Sequence, residues 1–221
     1  VRLAELMVET AERMGKKAVA LITDMDQPLG RFAGHSHEVI ESVEVLKGRG
    51  AADLRDLSVE LSAWMFYLGQ RTGTVDQGRA LALKLVASGE ALDKFRQGIA
   101  LQGGDARVVE DYSRLPQAKR RAEVGSLAGG FLAATNCMEF GVALAMLGGG
   151  REKKEDQIDP GVGLEFHKRI GDRVTAGETL VTIHYNSESR LNEARQRIAE
   201  SFQFSNQPPP AKRLIRRLVG A

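Results

Sequence analysis

The segment Lys16-Lys17-Ala18-Val19-Ala20-Leu21-Ile22-Thr23-Asp24 constrains the fold more than any other stretch of this chain. Its apolar residues run continuously instead of alternating with polar ones. That is the pattern of a strand covered on both faces, as in a parallel sheet with helices on either side. Leu3, Leu6, Met7, Ala11 and Met14 precede it at helical spacing, and a polar loop, Asp24–His37, follows. Helix, buried strand and loop together give the rhythm of an α/β domain. In open α/β sheets ligands gather at the carboxyl ends of strands, so this loop is where function is sought.

The stretch 37–101 reads as helices. Val39, Ile40, Val43 and Leu46 form one apolar stripe, and Leu54, Leu57, Leu61, Trp64 and Leu68 a second. Thr74-Val75-Asp76-Gln77 has capping-box spacing ahead of a third helix that Gly89 ends. Leu92, Phe95 and Ile99 mark a fourth. Trp64 reads as a core residue, since aromatics are mostly buried. Near Leu115-Pro116 the texture changes: glycines become frequent and strand patterns dominate, which places a domain boundary there. Gly130–Thr135 reads as a strand and Asn136 as a helix start. Val162, Leu164, Phe166 and Ile170 share one parity, Glu165, His167 and Arg169 the other, and Glu178–Tyr185 is a second strand beyond a Gly171-Asp172 turn. Leu191, Ala194 and Ile198 mark a last helix. The tail from Asn206, through Pro208-Pro209-Pro210, reads as extended and then basic-amphipathic around Leu214, Ile215 and Leu218.

Composition removes several function classes. With 221 residues, 43% hydrophobic and 27% charged, the chain matches an ordinary globular protein of one large domain or two small ones. A formal charge of +2 gives no electrostatic footprint for nucleic acid or an anionic membrane. Apolar stretches such as Val142–Leu147 fall far short of the roughly 20 residues a membrane span needs. The single cysteine, Cys137, cannot form an internal disulfide, and the expected location is cytoplasmic. The chain opens at Val1 directly into a helical pattern with no capping residue, which reads as a boundary inside a longer protein.

Four places could carry chemistry. His35 and His37 are two apart, a spacing that does not bring helical side chains together, whereas His167 and His184 could be neighbours across a hairpin; neither pair has a zinc ligand set around it. Gly148-Gly149-Gly150-Arg151 follows a helix, while a phosphate loop precedes one, so it reads as a C-cap and turn. Gly171–Leu180 is similar to a turn of lipoyl and biotinyl carrier domains but lacks the lysine that carries the cofactor, so a hammerhead or barrel-sandwich geometry is expected without carrier function. The loop Thr23–His35 is the most distinctive. Pro28 and two glycines fix its backbone, Glu38 and Glu41 follow on the next helix, and carbonyls with one carboxylate suit a hard cation. On spacing alone, a solvated acidic helix face competes with that reading.

Thr-Asp-Met-Asp-Gln-Pro-Leu-Gly (23–30), Gly34-His35, Glu38-Val39 and Glu41 together resemble the thymidine and pyrimidine-nucleoside phosphorylase family. So do Ala100–Asp105, Leu115–Lys119, Leu147–Arg151 and Ile158–Gly163, in the same order. The resemblance implies a transferase of nucleoside salvage, a homodimer in which phosphate attacks the anomeric carbon of a pyrimidine (deoxy)ribonucleoside. The base departs and an α-pentose 1-phosphate forms. It implies a potassium ion held by the carbonyls of Leu29 and Phe32 and the carboxylate of Glu41. Phe32 stands where smaller residues are common, but the ligand there is a main-chain oxygen.

The family grips phosphate with a Lys-His-Ser and Gly-rich segment, and the base with an Arg and a Ser-x-x-x-Lys pair. This chain has no Lys-His-Ser and no Ser four before a Lys, and Arg31 and His35 do not take those roles. The expectation is therefore a C-terminal fragment, inactive alone, with no catalytic or substrate-binding residue and half of a potassium site. Residues 1–115 would end the α/β domain, and 116–221 would form an α+β domain with an antiparallel, barrel-sandwich-like sheet and an extended tail. The partners implied are nucleoside and phosphate, not nucleic acid or membrane. The competing reading is a stand-alone carrier-like or scaffold module that reuses the hairpin.

Overall fold

A computed structural model describes residues 1–220. In chain order its elements are α1 (Arg2–Arg13), β1 (Ala20–Thr23), β2 (Phe32–Ala33), α2 (His35–Leu46), α3 (Ala52–Leu68), α4 (Val75–Ala87) and α5 (Glu90–Leu101). Then come β3 (Arg120–Gly125), β4 (Gly130–Thr135), α6 (Cys137–Leu144), β5 (Gly163–Phe166), β6 (Arg173–Val174), β7 (Thr179–Tyr185), α7 (Leu191–Glu200), β8 (Phe202–Ser205) and β9 (Ile215–Val219). The class is mixed α and β, and every strand pair among the described residues is antiparallel. Packing divides the chain into two units interleaved in sequence, not at Leu115-Pro116. The first takes Val1–Asp24, Val45–Phe95 and Lys212 onward; the second takes Met25–Glu44 and Arg96–Ala211.

In the first unit the continuous apolar run does form a strand, but not in a parallel sheet. β1 pairs antiparallel with β9, Ala20 opposite Val219 and Leu21 opposite Leu218, in a two-stranded sheet whose β1 residues are all half-buried. The tail is therefore a strand, tied further by Leu214 O accepting the Asp24 N–H at 2.8 Å and by an Arg216–Asp24 ion pair. The reason is local: three prolines keep the approach extended, and Ile215 and Val219 favour a pleated backbone. α1 ends in a Schellman motif at Gly15 (φ +72°), with Lys16 N–H donating to Ala11 O and Gly15 N–H to Glu12 O. At Thr74 half of the capping box forms: Thr74 Oγ1 accepts from Gln77 N–H at 3.2 Å, while Gln77 Oε1 accepts at 2.9 Å from the N–H of Gly73, one residue before the cap. α3 and α4 cross where Gly78 meets Ala63, so closely that a Cβ on Gly78 would lie 2.5 Å from Ala63 O. The buried residues of α3 are Val59 and Ala63, not the stripe of leucines.

The second unit holds the main core. A four-stranded sheet, β2-β5-β7-β3, and a three-stranded sheet, β6-β4-β8, pack with α6 and α7 around Leu132, Leu164, Leu180, Ile183 and Ile198, all essentially inaccessible. Val162, Leu164 and Phe166 point into this core on the parity the sequence shows, and Phe140 joins Phe166 and Phe202 at ring separations of 4.9 and 5.1 Å. α6 runs into a π-turn, Ala145–Gly149, broken at Gly148 (φ +93°), the helix end read from the glycine run.

Candidate functional site

The loop that follows β1 belongs to the second unit from Met25 onward and is bonded there at Asp26, Gln27, Gly30 and Arg31. Gln27 Oε1 accepts the Ile170 N–H at 2.8 Å, Thr135 Oγ1 donates to Asp26 O, and an Arg169 guanidinium N–H donates to Gly30 O. Arg31 O accepts the Phe166 N–H at 2.7 Å. By the alternation of an antiparallel ladder, Phe32, opposite Glu165, then directs its own C=O away from β5. Two glycines allow this path. Gly30 (φ +71°) sits over Glu41, where a Cβ would lie 2.3 Å from a carboxylate oxygen, and Gly34 (φ +125°) crosses Val162 O at 2.5 Å from where a Cβ would be.

Glu41 is the residue this packing singles out. The sequence places Glu38 and Glu41 on one acidic helix face, yet Glu38 is exposed and Glu41 is 6% exposed. Glu38 Oε1 caps the turn by accepting the Gly34 N–H at 2.9 Å. Glu41 Oε1 accepts the Arg31 N–H at 2.6 Å, beneath the Leu29–Phe32 backbone. A buried carboxylate lying against loop backbone is a hard oxygen donor, of the kind that suits a hard cation better than a soft one. Among the described residues no group of three or more His, Cys, Asp or Glu is placed to hold a metal.

The histidines sort differently from the sequence expectation. His35 and His167 are exposed, and His167 bonds Thr182 Oγ1 at 2.8 Å. His167 and His184 are not cross-strand neighbours: His184 stands opposite Gly163, and His167 N–H bonds Leu180 O. His184, 6% exposed, instead meets His37 with ring centroids 4.3 Å apart, and Phe32 stacks on the other side of His37 at 5.8 Å. His184 Nε2 lies 3.5 Å from Glu165 Oε2, and His37 Nε2 lies 3.3 Å from Gly161 O. Burial pushes both imidazoles below the usual histidine range, and Glu165 opposes that for each. Sequence reasoning missed this cluster. Its signal was Gly163, where any Cβ would sit 2.1 Å from the His37 ring.

The hairpin between β6 and β7, Thr175–Glu178, carries no lysine, and nearby Lys168 is paired with Glu178 at 2.5 Å. The arrangement there is a tight turn, with Glu178 accepting the Thr175 N–H at 2.9 Å. No helix among the described residues is long and apolar enough to cross a membrane.

Residues 131–205 match the family model described as the pyrimidine nucleoside phosphorylase C-terminal domain. The chain is 39% identical, over 96% of its length and 49% of the relative's, to a pyrimidine-nucleoside phosphorylase of Geobacillus stearothermophilus. It is 37% identical to one of Bacillus subtilis (98% of the chain, 50% of the relative) and 41% identical to one of Staphylococcus aureus (84% and 43%). A match covering 98% of the chain reaches into the tail, for which the sequence motifs offered no counterpart. The chain spans about half the length of the curated relatives it matches.

Proposed function

We propose, for a chain that resembles pyrimidine-nucleoside phosphorylases along nearly its whole length, that it supplies the C-terminal half of such an enzyme. The observation that carries this is the co-linear similarity through both packing units, including the Thr23–Glu41 segment. The reaction is a pentosyl transfer. A phosphate oxygen bonds to the anomeric carbon, the glycosidic C–N bond breaks, and its electron pair leaves with the pyrimidine, which takes a proton. Products are the free base and an α-pentose 1-phosphate. The groups that offset charge on phosphate and on the departing base lie outside this chain, so the chain alone is inactive. The assembled enzyme is a cytoplasmic homodimer acting on nucleoside and phosphate, and the barrel-sandwich-like hairpin serves it as scaffold.

This chain's own part is the loop. The carbonyls of Leu29 and Phe32 with the carboxylate of Glu41 hold one side of a potassium ion, and the buried carboxylate supports that assignment. A bound potassium ion supplies a fixed positive charge that orders the loop. Arg169 on Gly30 O and Gln27 on the Ile170 N–H brace the loop.

The test is a fusion of the N-terminal half of the Bacillus subtilis relative to Val1, assayed for release of thymine or uracil from thymidine or uridine with phosphate. The unfused chain is expected to release neither, and the fusion to release at least one. Turnover by the unfused chain that survives repurification overturns the assignment of the chemistry elsewhere. A fusion that folds but never releases base overturns the function.

A further inference from the structure

The first unit contains a cleft of about 620 Å³, within the range of small-molecule sites. It lies where the end of α1, the run into β1 and the α3–α4 turn converge, and a smaller cleft sharing Lys17 and Tyr67 continues it past Arg71. Two helix ends border the two clefts in the same way. The Schellman motif that closes α1 puts Lys16 just beyond the helix, followed by Lys17. α3 closes in a second one, Arg71 N–H donating to Phe66 O at 2.8 Å and Gln70 N–H to Tyr67 O at 3.0 Å. There the left-handed position is taken not by glycine but by Gln70 (φ +56°), the one non-glycine residue with positive φ among those described. Backbone strain kept without a glycine is a reason to ask what the turn holds in place.

Lys16 and Lys17 line the larger cleft with Trp64 and Tyr67, and Arg71 lines its continuation. Lys16, Lys17 and Arg71 make no ion pair among the described residues, against one acidic lining residue, Glu12. Trp64 and Tyr67 meet edge to face with centroids 6.0 Å apart. The wall is rigid: Trp64 Nε1 donates to Glu60 at 3.1 Å, and Glu60 is itself clamped by Arg79 at 2.8 Å. Tyr67 remains 39% exposed. At the start of α4, Thr74 Oγ1 takes up the Gln77 N–H and Gln77 Oε1 the Gly73 N–H, so two of the N–H groups nearest the cleft are already bonded.

We propose that this cleft binds a nucleoside monophosphate, its phosphate among Lys16, Lys17 and Arg71 and its base against Trp64 and Tyr67. Cationic side chains beside stacking faces select a ligand that is both anionic and planar. A nucleoside lacks the charge and inorganic phosphate lacks the ring, so each alone binds more weakly. The site needs none of the phosphorolysis machinery, and its failure leaves that reading untouched.

Trp64 is the only tryptophan, so its fluorescence reports directly on the wall. Titrating the 221-residue chain with uridine monophosphate at constant ionic strength is expected to give a saturable change. Uridine, ribose 5-phosphate and inorganic phosphate should each need at least about tenfold more, and added salt should weaken the monophosphate. Lys17→Gln with Arg71→Gln should cost about tenfold or more in affinity, and Tyr67→Leu a comparable factor. All three positions are exposed or half-exposed, and unfolding midpoints verify that the variants fold. Equal affinity for uridine and its monophosphate, or for phosphate and the monophosphate, overturns the proposal. So does no saturable change up to about 10 mM, or a double variant that folds and binds as wild type.

Discussion

The two packing units bury their apolar residues very differently. The second surrounds a continuous core in which Leu132, Leu164, Ile183 and Ile198 are inaccessible. The first buries only small or β-branched residues such as Val8, Val59, Ala63 and Ala82, and it carries ten of the fifteen large apolar side chains left exposed among the described residues. Leu3, Leu6 and Met7 on α1 and Met14 just beyond it are all more than half exposed. An amphipathic stripe therefore says which face of a helix is fit to be covered; what covers it must come from elsewhere in the polypeptide or its partners. The difference also implies separate stabilities, with the second unit resisting opening more strongly.

The sharpest way to break this comparison is to cut equivalent leucines. Leu164→Ala, at a wholly buried site, should cost the second unit about 2–5 kcal/mol in chemical denaturation. Leu61→Ala, at a site 44% exposed, should stay within about 0.5 kcal/mol. Similar losses for both would mean the units share one core. Glycines give a smaller contrast. Gly34→Ala combines φ +125° with a carbonyl in the way and should cost about 1–3 kcal/mol. Gly15→Ala meets nothing within 4 Å and pays only for its left-handed backbone, about 1–2 kcal/mol.

The same contrast shows what was legible. In the second unit the alternation Val162, Leu164, Phe166 identified the buried face, because both the strand and what it packs on lie within a short stretch of chain. In the first, Ala18–Ile22 identified a strand but not its partner. The run demands cover and cannot say that β9, some two hundred residues away, provides the pairing, and a strand's own pattern does not distinguish parallel from antiparallel neighbours. At the site, the loop and Glu41 stood out by motif. The burial that separates Glu41 from Glu38 depends on Gly30 letting the backbone fold over the carboxylate, and the His37–His184 contact depends on β5–β7 register, which no spacing rule supplies.

Potassium sharpens the comparison at the loop. In the fusion enzyme, adding potassium at constant ionic strength, with tetramethylammonium as the balancing ion, should raise the unfolding free energy. At ten times Kd the gain is about 1.4 kcal/mol. Glu41→Gln keeps an oxygen for the Arg31 N–H but removes the charge, so that gain and any potassium dependence of base release should vanish while the fold survives. An unaltered potassium response would return Glu41 to the role of a buried backbone cap. Because the ligands named all lie between Leu29 and Glu41, hydrogen exchange should show added protection in the second unit and none in the first.

The smallest effect expected is a pH dependence confined to the second unit, which contains all four histidines. His37 and His184 are held below their ordinary range chiefly by burial. Below about pH 6.5 the unfolded chain binds protons that the folded unit refuses, so stability is full above that value and falls as pH drops toward the folded-state pKa values. Glu165 favours the charged form of both rings, which offsets part of the burial and keeps the slope shallow. His184→Asn removes the more buried ring and should flatten the decline between about pH 7 and 5, measured by denaturation of the second unit. Amides of the first unit should show no such decline from histidine, since no imidazole lies there. An unchanged slope in His184→Asn would assign the acid sensitivity to carboxylates instead. A steeper one would mean that His184 already carries a proton near neutrality and is stabilised by Glu165.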